Sequence, residues 1–177
     1  MWHKYLLIIL VFYLFALLQN SFFMQFTFLG AAPNLIFAAF FLLIFFENSK
    51  KNYQIIFLSA IAGIFLDIFS FNYLGPSVVL LLILGFLIKA VQSLLKYEAD
   101  KTPFVYFLLI FAIFFLAYDF LIGLYLYFFE FNKALISFNA GNFFALVYSS
   151  LAAAILFFVY NKFLYNIINN RQLKLFG

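Results

Sequence analysis

A chain of 177 residues that is 69% hydrophobic and 9% charged cannot cover itself with a water-facing surface, since soluble domains carry about 25% charged residues. It reads as an integral membrane protein of one domain, and its net charge of +4 is a topology signal carried by loops rather than a nucleic-acid footprint. The absence of cysteine excludes disulfides, zinc–thiolate sites and thiol catalysis.

A hydrocarbon core about 30 Å thick takes about 20 apolar residues to cross. Six segments are expected to do so, over residues 5–26, 34–46, 53–71, 76–95, 103–129 and 139–165. The first opens on Trp2-His3-Lys4 and imitates a signal peptide. No small-x-small cleavage site follows Leu18, so a retained helix is expected. Gln19, Asn20, Ser21 and Gln25 lie toward its far end. The second segment is the weakest, because its strictly apolar part is short; it is expected to borrow residues 31–33 or to end in the interface. The third carries Asp67 inside the stretch AIAGIFLDIFSFNYLGPS (residues 60–77). A carboxylate at such depth costs about 2.5–3.5 kcal/mol on insertion scales and normally faces a partner or water. Gly75-Pro76 then punctuates a tight turn into the fourth span. Pro103 suits the first turn of the fifth, where its missing N–H is harmless, and Asp119 lies somewhat past the middle of that span. The sixth begins with Asn139 and Asn142.

Lys and Arg set the orientation. With six spans and the N-terminus inside, Lys4, Lys50, Lys51, Lys89, Lys96, Lys101, Lys162, Arg171 and Lys174 fall on one side and Lys133 alone on the other. This is the asymmetry of cytoplasmic loops, so both termini are expected in the cytoplasm. On that topology Asp67, Asp119, Gln19, Asn20 and Asn142 all fall in the outer half of the bundle, and they are expected to form a polar cluster shared by the first, third, fifth and sixth spans. There they either hold helices in register or receive a ligand or partner. Lys89 is read as an inner-face residue that snorkels, and His3 as interfacial. Ser59 and Gly63, and the ladder Ala145, Ser149 and Ala153, have the small-xxx-small spacing that lets helix backbones approach closely. The 32 Phe fit an AT-rich coding bias as well as any selected role.

Motifs for chemistry are missing. The sequence has no glycine-rich phosphate loop, no H-E-x-x-H and no Ser-His-Asp constellation within reach, so no catalytic, cofactor-binding or metal-ligating residue is assigned. Glu98 and Asp100 sit among Lys96 and Lys101 in a loop that is read as solvated.

The order of short motifs resembles a family. Leu18-Gln19-Asn20-Ser21 looks like its L-Q-S-like segment, and residues 29–35, Leu-Gly-Ala-Ala-Pro-Asn-Leu, look like its G-x-x-P-D-L approach to the second span, with Asn34 standing where the family often has Asp. Ala62-Gly63-Ile64-Phe65-Leu66-Asp67 followed by Leu74-Gly75 is similar to its G-x-x-x-D…G signature. The family is the bacterial rod-shape-determining protein MreD. The resemblance implies an all-α, six-helix transmembrane bundle similar to the substrate-binding component of energy-coupling-factor transporters. It also implies a non-enzymatic role in the cytoplasmic membrane, partnering the bitopic protein MreC, with MreB filaments and peptidoglycan synthases coupled indirectly. Asp67, Gly63 and Gly75 would shape the helix-turn unit.

Two other readings stand beside this scaffold. A solute-binding transporter component of vitamin type suits the implied fold and the outer polar cluster, but such components show an A-x-x-x-A-type face on the first span, where residues 5–18 offer only Ala16. An enzyme of lipid-linked intermediates lacks the clustered cytoplasmic Asp, His and Arg that phosphate chemistry requires.

Overall fold

The helix that organises the protein is its shortest. In the computed structural model the described residues are 2–27, 30–46, 52–69, 74–94, 104–130 and 140–164. They form α1 (Trp2–Leu17), α2 (Leu35–Phe46), α3 (Asn52–Phe69), α4 (Pro76–Leu94), α5 (Phe104–Glu130) and α6 (Ala140–Val159). A π-helical turn (Leu18–Phe22) and a 3-10 turn (Phe23–Phe26) prolong α1, and a second π-helical turn (Tyr160–Leu164) prolongs α6. Five of these helical stretches are long and apolar enough to cross a membrane. The sixth, α2, has twelve residues and is about 18 Å long.

Of the six expected spans, five are helices of spanning length among the described residues, and the second, α2, is shorter than a span. Residues 31–33 do not extend α2, because residues 32–34 are not helical and Asn34 caps the helix start. Its sequence is apolar on every face, which marks a helix enclosed by others. Ile36, Phe37, Ala38, Phe40 and Phe41 are wholly buried, and α2 touches all five other helices.

Pairwise contacts give each helix its direction. Tyr5 meets Phe57 edge-on at 4.6 Å and Tyr13 approaches Phe65 at 6.3 Å, so α1 and α3 run parallel. Phe37 lies 5.5 Å from Phe115, Phe41 5.3 Å from Phe111 and Phe45 5.2 Å from Phe107, which makes α2 and α5 antiparallel. Phe104 and Phe107 both meet Phe157 of α6. The spine of the core is therefore a ladder of phenylalanine rings in tilted and edge-to-face arrangements, which suit the ring quadrupole. Lipid is as apolar as leucine, so such fit, rather than escape from water, is what holds helices together in a bilayer.

Each long helix turns one stripe inward. Ile8, Phe12 and Ala16 do so on α1, Leu81, Leu84 and Ile88 on α4, and Ser149, Ala153 and Phe157 on α6. The opposite faces are apolar and open, as at Leu7, Leu10 and Leu14 of α1 and at Leu109 and Ile113 of α5. Lys89 and Lys162 lie at the end of the bundle where Gln92 meets Phe45 and Tyr160 meets Phe46. Lys50, Lys51, Lys96, Lys101, Lys133, Arg171 and Lys174, on which the topology also rests, lie outside the described residues. So do Glu98, Asp100, Pro103, Asn139 and the side chains of residues 2–4.

Candidate functional site

Asp67 faces the start of α4 and is wholly buried. Pro76 is the first residue of that helix, and Gly75 is its N-cap, since the Gly75 carbonyl accepts from Val79 N–H at 3.0 Å. A glycine cap offers no side-chain oxygen, and proline no N–H, so the first turn depends on another element for its acceptors. Asp67 supplies them from α3. Its Oδ2 accepts from Gly75 N–H at 2.7 Å and its Oδ1 from Ser77 N–H at 3.1 Å. Gly75 adopts φ +124°, a conformation that favours glycine and that aims its N–H at the carboxylate.

The energies balance. Burying the acid costs about 2.5–3.5 kcal/mol, while hydrogen bonds to a charged group contribute about 1.5–3 kcal/mol each. The positive end of the α4 dipole adds about 0.3–2 kcal/mol. Two bonds suffice to make this buried carboxylate tolerable. Ser77 then carries the network to α5, its hydroxyl lying 3.1 Å from the Tyr118 hydroxyl.

Gly63 brings the two backbones together one turn below Asp67. A Cβ there would lie 2.6 Å from Val78 N and closer still to Val78 Cα. Ser59 continues the contact, donating to the Leu81 carbonyl at 3.2 Å. Gly63 and Asp67 thus act on one junction: glycine permits the approach that puts the carboxylate within reach of α4.

A second junction closes α2. The Asn34 carbonyl accepts from Ala38 N–H at 3.1 Å, and Asn34 Oδ1 accepts from Phe37 N–H at 2.9 Å, so this residue is the N-cap. Gln19, at the end of α1, accepts from Leu35 N–H at 3.0 Å through Oε1. Ser149 of α6 accepts the Asn34 N–H at 2.9 Å. At the other end, Gln92 of α4 donates to the Phe45 carbonyl at 2.8 Å. A backbone group left unpaired in a bilayer core costs several kcal/mol, and a helix enclosed on all sides must take its partners from neighbours. Asparagine and aspartate cap about equally well. Asn34→Asp should therefore leave the thermal unfolding midpoint nearly unchanged, while Asn34→Ala should cost about 0.5–2 kcal/mol, measured side by side in detergent.

The polar residues therefore divide into two junctions, rather than one cluster shared by the first, third, fifth and sixth spans. One joins α3, α4 and α5 through Asp67. The other joins α1, α2 and α6 through Gln19, Asn34 and Ser149. No hydrogen bond among the described residues links them. Asn20 donates back to the Ala16 carbonyl at 3.0 Å, and Ser21 bonds the Leu17 carbonyl, so both serve the turn that prolongs α1. Asn142 lies half-buried in the first turn of α6 and Asp119 half-buried on α5, and among the described residues neither is hydrogen-bonded to either junction.

The family model of the rod shape-determining protein MreD matches residues 3–167. The chain belongs to the MreD family. No curated protein and no solved structure matches it. As a member of the MreD family it is a multi-pass membrane protein with a role in rod shape determination. The MreD-like signature residues Gly63, Asp67 and Gly75 meet at the α3–α4 junction. Asn34, read from the MreD-like G-x-x-P-D-L segment, caps α2 at the other, next to Leu35, whose N–H donates to Gln19. Sequence reasoning did not single out Gln92, Ser77 or Tyr118. Gln92 could have been found as an amide in an apolar span beside a short helix in need of a C-terminal partner. Ser77 could have been found as the first residue after Gly-Pro with an N–H to satisfy.

Proposed function

We propose that this chain, over residues 1–177, is a single transmembrane domain that acts as a non-enzymatic scaffold of the cell-elongation machinery in the bacterial cytoplasmic membrane. Both termini are cytoplasmic on this reading, and the protein holds a bitopic MreC-like partner, coupling it indirectly to MreB and the peptidoglycan synthases. The observation that supports it is the use to which the intramembrane polar groups are put. Asp67, Gln19, Asn34, Ser149 and Gln92 engage backbone groups at helix ends, as suits a rigid frame that presents fixed surfaces to partners. Family membership supports the link to cell shape.

The test is complementation in a rod-shaped cell whose own copy is depleted, with cell width as the readout and MreC co-purification alongside. The wild-type chain should restore rods and retain MreC, and Asp67→Ala should give wide or round cells. Nanomolar binding of a vitamin by the purified protein, with no retention of MreC, would replace the scaffold by a transporter component.

A further inference from the structure

The two aspartates on the described helices are held differently. Asp67 is wholly buried and satisfied by two N–H groups, and Ser59, Ser77 and Ser149 each have a partner. Asp119 is half-buried and, among the described residues, enters no hydrogen bond or ion pair. It lies about 22 Å along α5 from Phe104 and about 16 Å from Glu130, by helical rise. A side chain as short as aspartate cannot carry its charge from there to an interface, as a lysine would.

Around it the surface is apolar and open. Ile113 is 64% exposed, Leu116 37% and Phe120 50%. Leu116 lies one turn from Asp119 and Phe120 is adjacent to it, so acid and apolar strip share one side of α5. Lipid alone would leave the carboxylate without a partner. Intramembrane acids pair with opposite charge or with donors, and the chemistry that completes this strip is an apolar helix carrying a cation at matching depth.

We propose that the strip Ile113, Leu116, Asp119 and Phe120 seats the transmembrane helix of a partner protein, with a basic side chain of that helix paired to Asp119. The inference rests on the scaffold reading above and assigns the helix to its bitopic partner. Packing along Ile113, Leu116 and Phe120 would supply the contact area, and Asp119 would set depth and register.

The test uses the full chain co-expressed with MreC. Asp119→Leu should weaken retention of MreC about ten- to hundredfold, the loss of one charge-assisted hydrogen bond, and Asp119→Asn should weaken it less. The thermal midpoint of Asp119→Leu alone should equal or exceed that of wild type, because an unpaired acid is removed. The chain has no cysteine, so Leu116→Cys and Phe120→Cys report without background. Each should form a disulfide with a cysteine placed in the partner's transmembrane helix, whereas Ile155→Cys on exposed α6 should not. Unchanged retention in Asp119→Leu, or disulfides between two copies of this chain at Leu116→Cys, would overturn the docking face and leave the partnership standing. Failure of the wild-type chain to retain MreC would overturn both.

Discussion

Asp67→Ala should destabilise the protein by about 2–6 kcal/mol, because it leaves one buried and one part-buried amide without acceptors at about 1–3 kcal/mol each. The amides are those of Gly75 and Ser77, and among the described residues no other side chain is hydrogen-bonded to either. Pro76 between them brings no N–H of its own, and Gly75 has no side chain to take over. Asp67→Asn should fall between wild type and alanine. Its one carbonyl oxygen can replace one of the two acceptors, while its NH2 group opposes the other amide. Thermal or denaturant unfolding in detergent, compared across the three proteins, checks the order. A midpoint for Asp67→Ala equal to that of wild type would mean that the α4 start finds other acceptors.

Gly63→Ala should be the more damaging of two matched glycine substitutions. Its new Cβ would meet the backbone of Val78, 2.6 Å from the amide nitrogen, and backbone yields only if the helices part. Overpacking of this kind costs about 1–3 kcal/mol. Here the parting also stretches the bonds from Asp67 to Ser77 and from Ser59 to Leu81, which pushes the effect to the upper end or past it. Gly85→Ala is the control. Its Cβ would lie 2.8 Å from Ile55 Cγ2, 3.1 Å from Ile44 Cδ1 and 3.3 Å from Ser59 Oγ, all of them side-chain atoms rather than backbone. Its loss should be less than half that of Gly63→Ala. Equal losses would show that the α3–α4 contact is no tighter at Gly63 than at Gly85.

Both effects arise where the sequence was most readable. An acid in an apolar run, a glycine one turn before it and Gly-Pro shortly after are local signals, all within residues 63–76. Their partners are near in sequence too, eight and ten residues away. The long spans were readable for a similar reason, since length and hydropathy are local properties.

The α2 junction was less readable. Its bond between Asn34 and Ser149 joins residues 115 apart, and nothing local to either announces the other. The small residue Ser149 was expected to let backbones approach, and it is also a hydrogen-bond acceptor. Length made α2 look like a weak span, yet its apolar residues face every direction, which is the pattern of an enclosed helix. Its place at the centre explains why Gln19, which the sequence put in an outer polar cluster, turns to Leu35 instead. Depth alone groups Asp119 with the same cluster. Depth does not say which side of a helix a residue occupies, and the α5 core stripe runs through Phe107, Phe111, Phe115 and Tyr118.

The carboxylate of one helix closes the start of the next, and residue-resolved amide exchange in detergent or lipid nanodiscs tests this most directly. The Gly75 and Ser77 amides should exchange slowly in the wild-type protein and fast in Asp67→Ala, while Leu35, held by Gln19 at the other junction, keeps its protection in both. Fast exchange at Gly75 and Ser77 in the wild type, or protection there that survives Asp67→Ala, would contradict the claim.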